Sequence, residues 1–570
     1  MMSIYSNNEH LMASLSEREA SYNPAVKLQY GPITKTYHTA LKKDSYPYVH
    51  DTYLSVVYAL DLLDSELPDY VERAEDILSV ILQLQDTRQD SPTYGLWSYY
   101  YEELLDQMDS PDWNYADFIG KKLVLALKHY GNRLSEALRQ GLTEAIGRAC
   151  QAIVKRDVGP GYTNIAVMGA FVTLVGGEVI GQEKLVQYGR NRLQRLYDYT
   201  MRLGTFVEFN SPCYTPITIE ELHHIHKETK DPDSIRLTER LQHIAWKMAA
   251  ERYHPRTKEW AGPHSRSYSP MLNRSSLEYE IIRHVLENDP APDPQSVRCP
   301  EELLSYFSSE EERHLRCPIF DEEETGYQSY ATTYMHEAYC LGSFTKDMMW
   351  NQRENLIAYV DNHGKAAYVQ LRFLKDGKDF SSAVFTGVQD KSDIVFGINM
   401  ALDFGDWHPA LDPVNGVLDA EDIRIRIEIG GYTEGLDYLS GNKHDYDAAV
   451  VIGSQTVRVK QLSAFSDMGA PLIAITRSEQ EGTLGIDYII YEGLRKEFDF
   501  HKWNQAAWVF LFTLSERVEE LQTGSEVNDG SLYAWCEKQG RKMGITIPVK
   551  PERIGQLFRN NEVSFMAEDV

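Results

Sequence analysis

The sequence predicts an α+β multidomain chain, an N-terminal (α/α) toroid of helical hairpins followed by a C-terminal antiparallel β-sandwich. Three observations predict it. The 570 residues exceed what one ordinary core holds, so two domains are expected. From about residue 48 to 290 apolar residues recur at three- and four-residue spacing, the period of helices buried on one face. Past a break rich in proline and charge, the pattern changes to runs of β-branched and aromatic residues between turns.

The helical half reads as successive amphipathic segments: YLSVVYALDLLDS, PDYVERAEDILSVILQLQ, FIGKKLVLALKHYG, SEALRQGLTEAIGRACQAIVKR, NIAVMGAFVTLVGGEVIG, KLVQYGRNRLQRLYDYTMRLG and SIRLTERLQHIAWKMAAERY. Short Gly, Pro, Asp or Asn breaks between them suit antiparallel neighbours. No repeat of fixed period occurs, which favours a closed ring over an open solenoid. The segments ENDPAPDPQSVRCPEEL and SSEEERHLRCPIFDEEETG read as a linker containing a short helix. Strands are expected at ENLIAYVDN, AAYVQLRFL, DIVFGINMAL, IRIRIEIGGY, AAVVIG, TVRVKQL, LIAITRS, LGIDYIIY and AAWVFLFTL. The expected boundaries are 1–290 for the toroid, 291–325 for the linker and 326–570 for the sandwich.

An apolar fraction of 42% and a charged fraction of 25% are those of a folded protein. The formal net charge of −28 excludes a nucleic-acid coat, whose affinity comes from many Lys and Arg contacts with phosphate. No stretch reaches membrane-spanning length, and the first residues, MMSIYSNNEH, lack the basic start and apolar run of a secretory signal. Six cysteines without a CxxC pair suggest neither a zinc ribbon nor a disulfide framework. These features lead to the expectation of a cytoplasmic protein; they carry no reading of its oligomeric state.

Three segments of the helical half are chemically richer than a core requires. They are VGPGYTNIAVMGA with Asn164, GTFVEFNSPCYTPITIEELHHIH around Asn210 and Tyr214, and EWAGPHSRSYSP with His264, Arg266 and Tyr268. Each sits at a break or helix end, and in a toroid such ends converge on one mouth. These residue types suit elimination across C4–C5 of a uronate. The proton removed there is weakly acidic, so the adjacent carboxylate must first be neutralised. Asn amides and an Arg do this with hydrogen bonds that strengthen as charge develops. Asn164, Asn210 and Arg266 are the candidates for that task. A base then takes the C5 proton and an acid protonates the leaving O4; Tyr214, Tyr268 and His264 are the candidates for these steps.

The order YTNIAV, then GTFVEFNSPCY, then GPHSR resembles the helical-toroid polysaccharide lyases of the chondroitin AC/hyaluronate, alginate and heparinase II/III-like types. The resemblance implies a carbon–oxygen lyase in which Asn164 matches the carboxylate-neutralising Asn, Tyr214 the proton-transferring Tyr and Arg266 an active-site Arg. Those families place a His beside the Asn or shortly before the Tyr. Here Ile165 and Asn210 occupy the corresponding places, so the imidazole is expected from His264. The implied partner is an acidic polysaccharide or oligosaccharide, and the chemistry requires no cofactor. No residue pattern supports a structural or charge-neutralising metal: adjacent histidines in His223, His224 and His226 point apart on a helix, and no HExxH accompanies them.

Aromatic rings present flat faces on which sugars stack, so Trp97, Trp113 and Tyr115 are expected to bind substrate, with Glu208 beside Tyr214. Trp350 and Arg353 are expected to bind substrate, the segment Trp350-Asn-Gln-Arg353 at the start of the sandwich reaching over the toroid mouth to contribute an amide or a guanidinium. Two other functions are compatible with the sequence. A glycoside hydrolase would need a carboxylate pair, drawn from Asp51, Asp117, Glu208 and Glu220. A carbohydrate-binding protein would hold sugar without cleaving it.

Overall fold

The runs spaced at three and four residues form helices in the computed structural model, which describes residues 8–35, 37–287, 297–322, 327–439, 447–478 and 480–567. The helices are α1 (Asn8–Glu19), α2 (Thr52–Asp64), α3 (Pro68–Leu84), α4 (Tyr115–Tyr130), α5 (Glu136–Arg156), α6 (Thr163–Ile180), α7 (Glu183–Leu203), α8 (Tyr214–Glu228), α9 (Pro232–Arg252) and α10 (Leu277–Leu286), with a short α11 (Ile554–Asn560) near the C-terminal end. Their ends follow local chemistry. The Asp51 carboxylate accepts the Leu54 N–H and caps α2. Asp157 and Gly181 adopt left-handed backbone just past α5 and α6, where the chain must turn away from the helix axis.

The chain divides into two compact units. The first comprises Met1–Arg202, Pro216–Ala245 and Ile281–Cys299. In it α2 packs on α3 and α4, and α4 packs on α5 and α6. Leu60, Ile77, Leu123, Ile146 and Phe171 are among its buried side chains. Most of α6 is apolar all round and buried all round, as the sequence NIAVMGAFVTLVGG requires. Among the described residues, no helix is long and apolar enough to cross a membrane.

The second unit comprises Leu203–Thr215, Trp246–Glu280 and Pro300–Val570. Its strands pair antiparallel. One sheet runs in the order Leu472–Ser478, Thr483–Asp499, Val417–Gly431, Lys365–Lys375, Leu356–Asn362, Tyr339–Phe344, Tyr327–His336 and Arg313–Glu322. A second runs Asp437–Leu439, Asp447–Ile452, Gln455–Ser466, Ala506–Ser515, Asp393–Met400, Ala383–Asp390 and Lys346–Met348. Side chains of both meet in one buried core, with Leu371, Ile425 and Ile427 from the first and Phe385, Phe396 and Phe510 from the second. A smaller sheet of Gln522–Asn528, Ser531–Lys538, Arg541–Pro548 and Glu562–Ala567 contributes Leu532 and Ile545 to another core.

Strand alternation explains the faces. In IRIRIEI, the isoleucines at 423, 425, 427 and 429 are buried in the shared core. The intervening Arg424 and Arg426 share the Asp487 carboxylate on the neighbouring strand, and Glu428 pairs with Arg372. Within the expected linker, residues 291–296 and 323–325 lie outside the described residues. Glu301–Ser308 forms a short 3-10 helix and Arg313–Glu322 an edge strand.

Candidate active site

Three segments of the second unit are joined by hydrogen bonds. The Ser265 N–H donates to the Phe209 carbonyl at 3.1 Å, the Ser211 hydroxyl to the Arg266 carbonyl at 2.6 Å, and the His264 Nδ1–H to the Asn210 carbonyl at 2.5 Å. On the other side, His264 and Glu354 exchange backbone bonds, and the Ser267 N–H donates to the Gln352 carbonyl. The middle segment rests on the first sheet, where the Thr333 hydroxyl donates to the Gly262 carbonyl at 2.7 Å. Gly342 makes this approach possible, because a Cβ there would lie 1.9 Å from the Gly262 oxygen.

The assembly centres on Arg266. Its Nε donates to Gln352 Oε1 at 3.0 Å, Nη1 to Glu208 Oε1 at 3.4 Å, and Nη2 to the hydroxyls of Tyr214 at 3.2 Å and Tyr268 at 3.4 Å. The two phenol oxygens are 2.5 Å apart. The guanidinium also lies over the rings of Tyr214 and Trp350, 4.7 and 5.1 Å from their centroids. Tyr214 opens α8, its N–H accepted by the Ser211 hydroxyl, whereas Tyr268 is 61% exposed. One cation therefore holds two phenols against each other where solvent reaches them.

Asn210 and His264 depart from the roles expected of them. Asn210 is fully buried; its amide donates to the carbonyls of Ala261 and Pro263 and accepts the Trp260 indole N–H. Its side chain thus fixes the 260–264 segment, and its left-handed φ of 50° turns the chain toward α8. His264 is fully buried as well, and burial pulls its imidazole down to about 4. The Asn210 amide is fully bonded to protein groups, so Asn210 is corrected to a positioning residue beneath Arg266, whereas His264 keeps its Nε2 without a hydrogen-bond partner. Beside His264 lies Glu354, its carboxylate 3.7 Å from Nε2 and pushed up to about 8 by burial.

Trp97 and Tyr115 are corrected too. Both are buried in the first unit, with the Trp97 indole N–H donating to the Ile81 carbonyl, so neither offers a face for stacking. Trp113 is half-buried, with the Lys155 ammonium over its ring. Asn164 lies in the first turn of α6, 2% exposed, also in the first unit. Of the carboxylates considered for hydrolysis, Asp51 caps α2, Glu208 meets Arg266, and Glu220 lies 3.7 Å from His224. Asp117 is buried near Arg192 and pushed up to about 7 by that burial. Among the described residues no group of three or more His, Cys, Asp or Glu side chains is arranged to hold a metal ion.

A cavity of about 300 Å³ adjoins the site within the second unit; Tyr268, Trp350, Arg353 and Glu354 line part of it. The Arg353 guanidinium is paired with Asp347 at 3.1 Å. Sequence reasoning offered an amide from the Trp350–Arg353 segment, which Gln352 supplies to Arg266, and missed Glu354. The signal was present: along Trp350-Asn-Gln-Arg-Glu354 alternate residues meet Arg266 or His264, which selects 350, 352 and 354 and leaves Arg353 for Asp347.

No curated protein matches the chain. Among solved structures, the chondroitin AC lyase of Streptomyces coelicolor A3 in complex with chondroitin sulphate is similar at 7% identity and a TM-score of 0.45, covering 95% of this chain and 88% of that one. The heparan sulfate lyase of Pedobacter heparinus is similar at 8% identity and a TM-score of 0.32, covering 95% and 94%. A Paenibacillus xanthan lyase is similar at 9% identity and a TM-score of 0.42, covering 95% of this chain and 64% of that one. The family described as a domain of unknown function, DUF8769, matches residues 11–302, just over half of the chain, and the chain belongs to that family.

Proposed function

We propose that the chain is a polysaccharide lyase that cleaves a uronic-acid-containing poly- or oligosaccharide by β-elimination, leaving a 4,5-unsaturated uronate end. The observation that carries this reading is the Arg266 guanidinium bound to two phenol oxygens 2.5 Å apart. In the reaction the C5–H bond breaks and its proton passes to the Tyr214 oxygen, which acts as the phenolate. The electron pair forms the C4–C5 double bond, the C4–O4 bond breaks, and O4 takes a proton. Tyr268 is within proton-exchange distance of Tyr214, so the pair can accept the C5 proton and supply the one O4 needs. Arg266 is placed to offset negative charge on either oxygen and on the uronate carboxylate. Glu208 and Gln352 fix its orientation.

Asn164 is proposed as a carboxylate-neutralising amide on the resemblance of YTNIAV to the lyase motif alone. The helices are proposed to close as a toroid and the two large sheets to face each other as a sandwich. No step calls for a cofactor.

The test is ultraviolet absorbance during incubation with alginate, polyglucuronate, pectate, hyaluronan, chondroitin and heparan. The expected result is growth of the conjugated double bond, reduced about 100-fold or more in Tyr214→Phe, the scale on which a positioned proton carrier acts. Reducing ends without new absorbance would replace elimination with hydrolysis. Sugar binding without cleavage would make the chain a binding protein.

A further inference from the structure

The cavity beside Tyr268 is built for a polar ligand. Trp350 Nε1, Asn351 Oδ1 and Arg353 Nε belong to residues that line it, and these three buried atoms have no hydrogen-bond partner. Buried polar atoms left unpaired are costly, and three on one short segment beside one cavity mark a place where a ligand completes the bonding. Glu354 is 7% exposed and lines the cavity directly. On the facing sheet, Gln370 and Glu428 also line it, the amide donating to the carboxylate at 2.9 Å. Together these groups offer several donors and acceptors in about 300 Å³, the surroundings that a ring bearing many hydroxyls requires.

The charges point to which kind of ring. Arg372 is held between two carboxylates, Asp379 and Glu428, both at 2.7 Å, so this trio keeps one net negative charge. Glu481 on the rim adds a second. The other lining guanidinium, Arg353, is paired with Asp347. A sugar carboxylate in this cavity would meet excess negative charge in a partly desolvated space, where like-charge juxtaposition is unfavourable.

We propose that this cavity is a subsite for an uncharged, hydroxyl-rich sugar next to the uronate, so that the substrate alternates acidic and neutral residues. The inference rests on the elimination reading for the adjacent tyrosines. Homopolymers of uronate are then poor substrates, since each placement of a uronate at Arg266 sends a second carboxylate toward Glu428 and Glu481.

The experiment compares kcat/KM for elimination on unsulfated chondroitin and on polyglucuronate, using the full chain and the variants Glu428→Gln and Glu481→Gln. Chondroitin is expected to be preferred by about tenfold or more, given the cost of the opposed charges, and each variant to narrow that ratio by improving turnover of polyglucuronate. Glu481→Gln lies on an exposed turn and keeps the test open if Glu428→Gln fails to fold. Equal rates on the two polymers, or a ratio untouched by either variant that folds, overturns the subsite.

If neither polymer is cleaved, elimination itself fails, and binding decides the subsite separately. Diacetylchitobiose, an uncharged disaccharide, is then titrated against indole fluorescence, with Trp350→Phe identifying the reporting ring. A saturable change lost in Trp350→Phe and weakened in Gln370→Leu sustains the cavity as a neutral-sugar site; no change overturns it.

Discussion

Glu354 and His264 show at the scale of single residues how burial sets chemistry. Folding holds a proton on Glu354 up to about pH 8, whereas the ordinary value is 4.5, so stability tied to it is lost as pH rises between those values. His264 works in the other direction. Its folded value of about 4 lies below the ordinary 6.5, so its contribution is lost as pH falls through that range. The two slopes oppose each other between about 4.5 and 6.5, which leaves a net decline from 6.5 to 8. Over that window a single buried carboxyl accounts for about 2 kcal/mol. Glu354→Gln keeps the shape and removes the titration, so the difference in unfolding free energy between variant and parent is expected to shift in favour of the variant from pH 6.5 to 8. Denaturant melts at the two pH values measure it, and a difference that stays constant with pH would contradict the assignment. None of this was visible in the residue string. GPHSRSY announced that His264, Arg266 and Tyr268 belong together, but only the fold reveals that Asn210 and His264 turn inward while Arg266 and Tyr268 turn outward.

Elements were legible where their period was strong and their ends were capped. IRIRIEI is a strand because its isoleucines fill a core on alternate positions, and α6 is a helix because almost nothing in NIAVMGAFVTLVGG is polar. Arg313–Glu322 was obscured by the charge around it. RHLRCPIFDE alternates as an edge strand does, yet its flanking glutamates read as solvated linker. Sheet order was not legible either, since Val417–Gly431 pairs with Lys365–Lys375 and Thr483–Asp499, partners tens of residues away. The least legible contact is the one that seats the active segment, Gly342 beneath Gly262. Gly342→Ala would force the 262–268 segment off the sheet, because the intruding atom meets backbone that no rotamer change can move. The expected loss is about 1 to 3 kcal/mol of stability, the usual scale for overpacking, together with elimination activity. Thermal unfolding and the absorbance assay check both, and a variant with parental Tm and rate would show that the two segments are not in register as described.

Charge acts on the scale of the whole molecule. A body with a formal charge of −28 repels an acidic polymer at a distance, whereas the proposed elimination has Arg266 attract the uronate carboxylate at contact. The two effects have different ranges and respond differently to salt. Repulsion between the bulk charges extends over a Debye length of about 30 Å at 0.01 M ionic strength and about 8 Å at 0.15 M. The guanidinium contact occurs within hydrogen-bond distance in a half-buried site, where screening is weak. Raising ionic strength from about 0.01 to 0.15 M is therefore expected to increase kcat/KM on a long acidic polysaccharide, mainly through faster encounter. The effect should shrink for a disaccharide substrate, which carries few charges to repel. Initial rates at low substrate across that salt range, for polymer and disaccharide in parallel, test the point. A steep fall with salt on the polymer would instead assign capture to a basic surface that outweighs the acidic body, as in proteins whose affinity comes from displaced counterions.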